Sequence, residues 1–348
     1  MRRICIFLFF LLFCFASFAQ SCKVLFIGNS YTSVNNLPEL ISSIYAASGT
    51  EFEYQMSAPG GCTFHQHCSV SLPYIQQGGW DYVVFQEQSQ LPSFPQEQFM
   101  QESYPYAQEL CELVHEYNPQ AKILFYMTWG RKNGDAQNCP NYPPLCTYEG
   151  MDSLLYARYM MMSEDNQACV SPVGAVWHNI RDHNPEVELY QSDGSHPSYF
   201  GSYVAACCFY TSLTGNTPMD ISWNGSLNND LALLAKNAVK TVVYDSLSKW
   251  CFQNDTLPND STVVHESKLQ SFVVYPVPAA NTLHIRMPGS SCPVVSLMIF
   301  DFAGNLVYQK DGFNSEECLD VSCFPDGNYM LRISDGLQFY SKIITIQH

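Results

Sequence analysis

The stretch KVLFIGNSYT (Lys23–Thr32) decides how the N-terminal part of the chain is read. Val24, Leu25, Phe26 and Ile27 form an apolar run of β-forming residues with no polar alternation. A run of this kind reads as a strand buried on both faces, as in a parallel sheet covered by helices on each side. It stops at Gly28-Asn29-Ser30-Tyr31, which leaves a small hydroxyl at the carboxyl end of the strand. Open α/β sheets collect their reactive groups at that end. A serine ahead of a helix is more commonly a cap, so Ser30 needs partners elsewhere before it reads as a nucleophile.

Working outward, further short apolar runs alternate with longer amphipathic stretches. Strands are expected at Lys23–Gly28, Phe52–Met56, Tyr82–Gln86, Lys122–Thr128 and near Val170–Val173. Helices are expected at Leu37–Ala47, Gln96–Tyr117, Tyr148–Asp165, Tyr199–Leu213 and Leu227–Leu247. This alternation predicts βαβ units and a parallel sheet. Gly130–Thr147, with Gly, Asn, Pro and two Cys, reads as a long loop that is functional or covalently pinned. The residues 253–268 are polar and break both periods, so they read as a linker between a domain at 21–252 and another at 269–348. Beyond the linker, β-like runs at Phe272–Tyr275, Thr282–Arg286, Val295–Phe300, Leu306–Gln309, Tyr329–Ile333 and Lys342–Ile346 are separated by Gly/Asn/Asp turns. They predict a small all-β sandwich.

The first twenty residues have a basic start (Arg2-Arg3), an apolar run from Ile4 to Phe15 and small residues at Ser17 and Ala19. They read as a secretory signal peptide, residues 1–20, rather than part of the fold. Cys22 just beyond makes a lipoprotein signal conceivable, although Ala19-Gln20-Ser21 fits that site poorly. No later segment is long and apolar enough to span a bilayer. The 348 residues are 47% hydrophobic and 14% charged, which fits a packed globular chain and not a disordered one. A net charge of −16 without a basic cluster argues against nucleic acid as a partner. Of the 15 Cys, Cys5 and Cys14 leave with the leader. Cys139/Cys146, Cys62/Cys68 and Cys318/Cys323 are candidate bridges by proximity, and Cys207-Cys208 read as buried thiols.

Chemistry enters through LYQSDGSHPSYFGSYVAA (Leu189–Ala206), where Asp193 and His196 stand three residues apart in a Gly/Pro-rich loop before an apolar helix. A hydroxyl needs a base, and the base needs a carboxylate to fix its tautomer; Ser30, His196 and Asp193 supply the three roles. Asp193 as a turn cap and His196 as a helix cap is the plainer alternative. Oxyanion donors could come from the Ser30 N–H, from Gly60-Gly61 after the second strand, and from Gln86 or Gln88 at the end of the third. Cys62, His65, His67 and Cys68 could ligate zinc by residue type, but their spacing matches no standard site. No phosphate loop or dinucleotide fingerprint is present. The reading calls for no cofactor and no metal.

Taken in order, Ser30 after strand one, Gly60/Gly61 after strand two, an amide after strand three and Asp193-x-x-His196 resemble the SGNH (GDSL-like) hydrolase superfamily over about Lys23–Ser248. The resemblance implies a flavodoxin-like three-layer α/β/α sandwich with a parallel sheet. It also implies a serine esterase with Ser30 as nucleophile, acting on acylated, in particular acetylated, carbohydrates or other small esters. Asn29 stands where the family has Asp, and Gln86 or Gln88 must replace the third-block Asn. Those departures leave room for a catalytically degenerate glycan-binding protein on the same fold. The tail is similar to the C-terminal sorting domain of the type IX secretion system of Bacteroidetes. The likeness rests on VVYPVPAANTLHI (Val273–Ile285), IFDFAGNLVY (Ile299–Tyr308), FPDGNYMLRI (Phe324–Ile333) and KIITI (Lys342–Ile346). It implies the outer-membrane secretion machinery as a partner and a secreted or cell-surface location.

Overall fold

The structure, a computed structural model, describes residues 21–252, 273–286, 294–301, 306–313, 316–334 and 339–348. The leader and linker readings fall on residues outside these ranges. The chain divides into two compact units, Met1–Asp255 and Thr256–His348.

In the first unit, β1 (Cys22–Ile27), β2 (Phe52–Ser57), β3 (Tyr82–Phe85), β4 (Lys122–Tyr126) and β5 (Cys169–Ser171) form one sheet in the order β2-β1-β3-β4-β5. Every pairing in it is parallel. The helices are α1 (Ser30–Ser33), α2 (Leu37–Ala47), α3 (Phe64–Val70), α4 (Leu72–Gln77), α5 (Gln96–Glu102), α6 (Tyr104–Tyr117), α7 (Tyr148–Asp165), α8 (Val173–His183), α9 (Tyr199–Thr214) and α10 (Asn229–Val242). α2, α8, α9 and α10 pack together as one layer, and α3 to α6 with α7 as the other. This is the three-layer α/β/α sandwich expected from the strand pattern.

The missing alternation in β1 has a direct cause. Ile27, Phe85 and Phe125 are in register across three strands. Their row meets α3, where Phe64 lies 6.1 Å from Phe85 and 6.2 Å from Phe125 between ring centroids. Phe26 points to the other face and meets Phe209 of α9 at 5.6 Å. Both faces are dry, so both sets of side chains are apolar. α9 is buried almost all round, which explains why it carries no polar face. Its Cys207 and Cys208 are fully buried, and burial pushes both thiols up to about 12. The strand order reverses at β1, whose carboxyl end, with that of β3, forms the switch-point crevice where ligands bind in such sheets.

Several expectations are corrected. Gln96–Tyr117 is two helices, because Pro105 cannot continue the first and the backbone turns at Ser103 (φ −129°, ψ −56°). Leu227–Leu247 is α10 followed by a 3₁₀ segment over Tyr244–Trp250. α3, α4 and α8 were not expected. Cys139–Cys146 is a disulfide, whereas Cys62, Cys68, Cys318 and Cys323 are free. A second disulfide, Cys169–Cys251, joins residues too distant for proximity to suggest.

In the second unit, β6 (Val273–Tyr275), β7 (Thr282–Arg286) and β10 (Glu316–Asp320) form a three-stranded sheet. β8 (Val294–Asp301), β9 (Leu306–Phe313), β11 (Gly327–Ser334) and β12 (Phe339–Ile346) form a four-stranded one. All pairs are antiparallel. Leu283/Ile285, Leu297/Ile299, Leu331/Ile333 and Ile344/Ile346 repeat with period two and fill one shared core. This is the β-sandwich read from the sequence, with β10 as a strand that was not foreseen.

Candidate active site

Ser30 is the first residue of α1, directly beyond β1. The His196 Nε2 lies 2.8 Å from its Oγ, and the His196 Nδ1 lies 2.5 Å from Asp193 Oδ2. The other carboxylate oxygen, Oδ1, accepts the backbone N–H groups of Ser195 (2.9 Å) and His196 (3.0 Å). Asp193 thus caps its own turn with one oxygen and holds the imidazole with the other. Burial alone would raise its pKa; hydrogen bonds from His196 and the two backbone N–H groups outweigh that and lower it, keeping the carboxylate ionised.

The loop is fixed by aromatic packing. Trp129, just beyond β4, donates its indole N–H to Ser195 O (3.0 Å). Its ring stacks between Tyr31 (4.9 Å) and Trp177 of α8 (3.7 Å). The Tyr31 hydroxyl sits 2.6 Å from Ser195 Oγ, and its ring meets His196 edge-on at 5.4 Å. α9 can approach this stack because residue 201 is glycine; a Cβ there would fall 2.5 Å from the Trp177 ring. Trp129 and Trp177 are both fully buried.

Behind Ser30, Asn29 and Gln86 lock each other. Gln86 Oε1 accepts the Asn29 N–H (2.9 Å) and the Thr32 hydroxyl (2.9 Å). Its Nε2 donates to Asn29 Oδ1 (3.0 Å) and to the Glu87 carbonyl. Both amide hydrogens are committed and the side chain is fully buried, so Gln86 is not free to serve an oxyanion. Gly28 is required here, since a Cβ would lie 2.5 Å from Thr32 Oγ1 and 2.7 Å from Gln86 Oε1. Asn29 Nδ2 in turn donates to Cys62 O (3.1 Å) and Glu87 O (3.3 Å), tying the loops after β2 and β3 to the residue before Ser30. Gln88 gives one Nε2 hydrogen to Gln90 Oε1 (3.1 Å), and the other has no acceptor among the described residues. The N–H groups of Ser30, Gly60 and Gly61 have no acceptor among the described residues. Gly61, with φ at +70°, occupies the third position of a turn closed by Cys62 N–H to Pro59 O.

The zinc alternative does not assemble. His67 is fully buried, with Nε2 donating to Gly28 O (2.8 Å) and Nδ1 2.7 Å from Ser71 Oγ. Burial lowers its pKa, which keeps it neutral, and it braces the peptide that leads into Ser30. His65 is exposed and stacks on Tyr106 at 4.3 Å. Among the described residues no group of three His, Cys, Asp or Glu could hold a metal.

Glu87 was not singled out in the sequence. It is fully buried and accepts Phe64 N–H (2.9 Å), Gln88 N–H (2.7 Å) and the Ser103 hydroxyl (2.7 Å). Burial raises its pKa from 4.5 to about 7, against the pull of those donors. A raised carboxyl pKa favours the folded state below 4.5, and that contribution is lost as pH rises through 7. Glu87→Gln keeps an acceptor for the two N–H groups and a donor for Ser103. Urea titrations across pH 5 to 8 should show the wild type losing up to about 3 kcal/mol that the variant does not lose. Equal slopes in the two proteins would show that Glu87 titrates normally.

Comparison with known proteins decides the tail. Residues 273–347 match the family model of the Secretion system C-terminal sorting domain. For the first unit, the chain is similar to a DUF4886 family protein from Bacteroides uniformis ATCC 8492. The identity is 17%, covering 66% of this chain and 95% of that one, with a TM-score of 0.56. A candidate SGNH hydrolase from Slackia heliotrinireducens is 22% identical over 56% of this chain and all of that one, with a TM-score of 0.46. A catalytic variant of an acetylxylan esterase from Geobacillus stearothermophilus is 18% identical over 60% of this chain and all of that one, at 0.40. The first of these shows a shared fold; the other two are looser likenesses. No curated protein matches the chain. The resemblance of the tail to the sorting domain is thus met, and the first unit shares its fold with the Bacteroides uniformis protein.

Proposed function

We propose that the protein is a serine ester hydrolase, carried by the hydrogen-bonded succession Ser30 Oγ–His196 Nε2 and His196 Nδ1–Asp193 Oδ2. Ser30 Oγ attacks the ester carbonyl carbon as His196 takes its proton. The tetrahedral oxyanion is held by the N–H groups of Ser30 and of Gly60 or Gly61, with Gln88 as the side-chain amide. His196 then protonates the leaving alcohol, and the C–O bond breaks. Water, deprotonated by His196, attacks the acyl-serine; the bond from the acyl carbon to Ser30 Oγ breaks, His196 returns the proton to Oγ, and the acid leaves. The substrates are acylated, in particular acetylated, carbohydrates or other small esters, as the SGNH resemblance implies. Hydrolysis of p-nitrophenyl acetate by the purified protein, beside Ser30→Ala, tests the reading; equal rates would favour the glycan-binding alternative.

The tail directs the protein, after a leader at residues 1–20, through the type IX machinery to the cell surface or medium. Among the described residues no helix is long and apolar enough to cross a membrane. Deleting Val273–His348 is expected to leave the protein in the periplasm with its esterase activity intact. Fractionation showing normal export of the truncated chain would overturn the sorting assignment.

A further inference from the structure

We propose that the cleft between α3, α5, α6 and the loop after β3 is the subsite for the alcohol part of the substrate, and that it takes a neutral, polyhydroxylated ring. This deepens the ester-hydrolase reading and rests on it. The cleft has a volume of about 440 Å³ and includes Thr63, His65, Gln88, Phe94, Glu102 and Tyr106 in its lining.

Its place follows from the Asn29 clamp. Thr63 and Gln88 each follow a residue whose carbonyl Asn29 Nδ2 holds, so the cleft opens from the two loops anchored beside Ser30. Gln88 borders the cleft and belongs to the proposed oxyanion set.

Its chemistry selects the ligand. The stacked His65–Tyr106 pair and Phe94 offer flat apolar faces, against which the C–H face of a sugar ring packs. Gln90, Gln101 and Thr63 offer neutral polar groups for hydroxyl groups. Glu102 is the charged carboxyl group in the lining, and no Lys or Arg joins it, so an anionic ligand is disfavoured. An acyl-chain pocket would be enclosed and apolar, which this lining is not.

The amides are also held in place. Gln88 Oε1 accepts the N–H groups of Gln90 (2.8 Å) and Leu91 (3.2 Å), and Gln90 Nε2 donates to Asp135 (2.6 Å). Asp135 is itself buried and held by Arg131 (3.1 Å) and Asn138 (2.7 Å). Amides fixed in this way lose little side-chain freedom on binding. By contrast, the cleft beside Asp193 carries Lys132 paired to Glu188, a charged lining suited to neither a neutral ring nor an acyl chain.

Tyr106→Ala and Phe94→Ala in the full chain test the proposal. On partially acetylated cellotetraose each variant should raise KM by about tenfold, the loss of one aromatic face. On methyl acetate, whose alcohol part has no ring to reach the cleft, neither variant should show this loss. Unchanged KM on the sugar ester, equal losses on both substrates, or a loss confined to p-nitrophenyl octanoate would each overturn the assignment. If the wild type hydrolyses no ester, the hydrolase reading fails separately. Calorimetric titration of Ser30→Ala with cellotetraose then judges the cleft alone: binding that Tyr106→Ala abolishes supports it, and absence of binding overturns it.

Discussion

Replacing Ser30 with alanine is expected to lower kcat for p-nitrophenyl acetate by at least about 10⁴-fold while leaving KM within a few-fold. Ser30 Oγ is the atom that forms the bond to the acyl group, so its loss removes the covalent path altogether. The fold should not suffer, because Asn29, rather than Ser30, makes the local hydrogen bonds that set the turn. Asp193→Asn is the more discriminating companion. Asparagine can keep Oδ1 for the N–H groups of Ser195 and His196, so the turn survives. It then presents an NH₂ group to His196 Nδ1 where a carboxylate oxygen stood. That forces the tautomer in which Nε2 carries the proton and faces Ser30, and such an imidazole cannot accept another. A fall comparable to that of Ser30→Ala, with the double variant no worse than either single one, is the result a cooperating trio gives. Additive, modest losses would mean that the three residues are hydrogen-bonded neighbours without a shared task.

Different parts of this arrangement were legible to different degrees. The strands were readable because burial on both faces leaves an unmistakable apolar run in β1, β3 and β4. Asp193 and His196 were readable because they are close in sequence and chemically suggestive. Their approach to Ser30 depends on β1 lying at the switch point of the sheet, a strand order that helix–strand alternation alone does not give. Gln86 and Gln88 were left as alternatives for a physical reason: an amide offers the same donors to an oxyanion as to a neighbouring amide. Only the folded distances show that Gln86 spends both hydrogens on residue 29 and the adjoining carbonyl. α3 carried a readable signal, since Thr63 and Gln66 form a capping box. α8 did too, with Val173, Val176, Trp177 and Ile180 at helical spacing and all fully buried. The Gln96–Tyr117 break was signalled by Pro105. Glu87 and His67 were not readable, because a charged or titratable residue earns its burial from partners distant in sequence, here Phe64, Ser103 and Gly28.

The two disulfides should differ sharply in what they contribute. Cys169–Cys251 has a sequence separation of 82, and Cys139–Cys146 one of 7. If a cross-link acts by restricting the unfolded chain, the longer loop stabilises by about 4–5 kcal/mol and the shorter by about 2 kcal/mol less. The local structure points the same way. β5 is only three residues long and is bonded to the rest of the sheet through β4 alone. On its other side it meets the last described residues of the unit, through a bridge between Cys169 and Cys251 and the Phe252 N–H to Ala168 O bond of 3.2 Å. Trp250, beside this cross-link, is buried against Tyr156 of α7. Opening the bond therefore frees the end of the unit and exposes the edge of the sheet together. The Cys139–Cys146 loop, by contrast, stays held by Asp135, which keeps its bonds to Arg131, Gln90 and Asn138. Urea unfolding of the paired variants Cys169→Ala/Cys251→Ala and Cys139→Ala/Cys146→Ala should place the first well below the second, with similar m-values. Equal midpoints would mean that the compactness of the unfolded chain, rather than loop length, sets the contribution of each bridge.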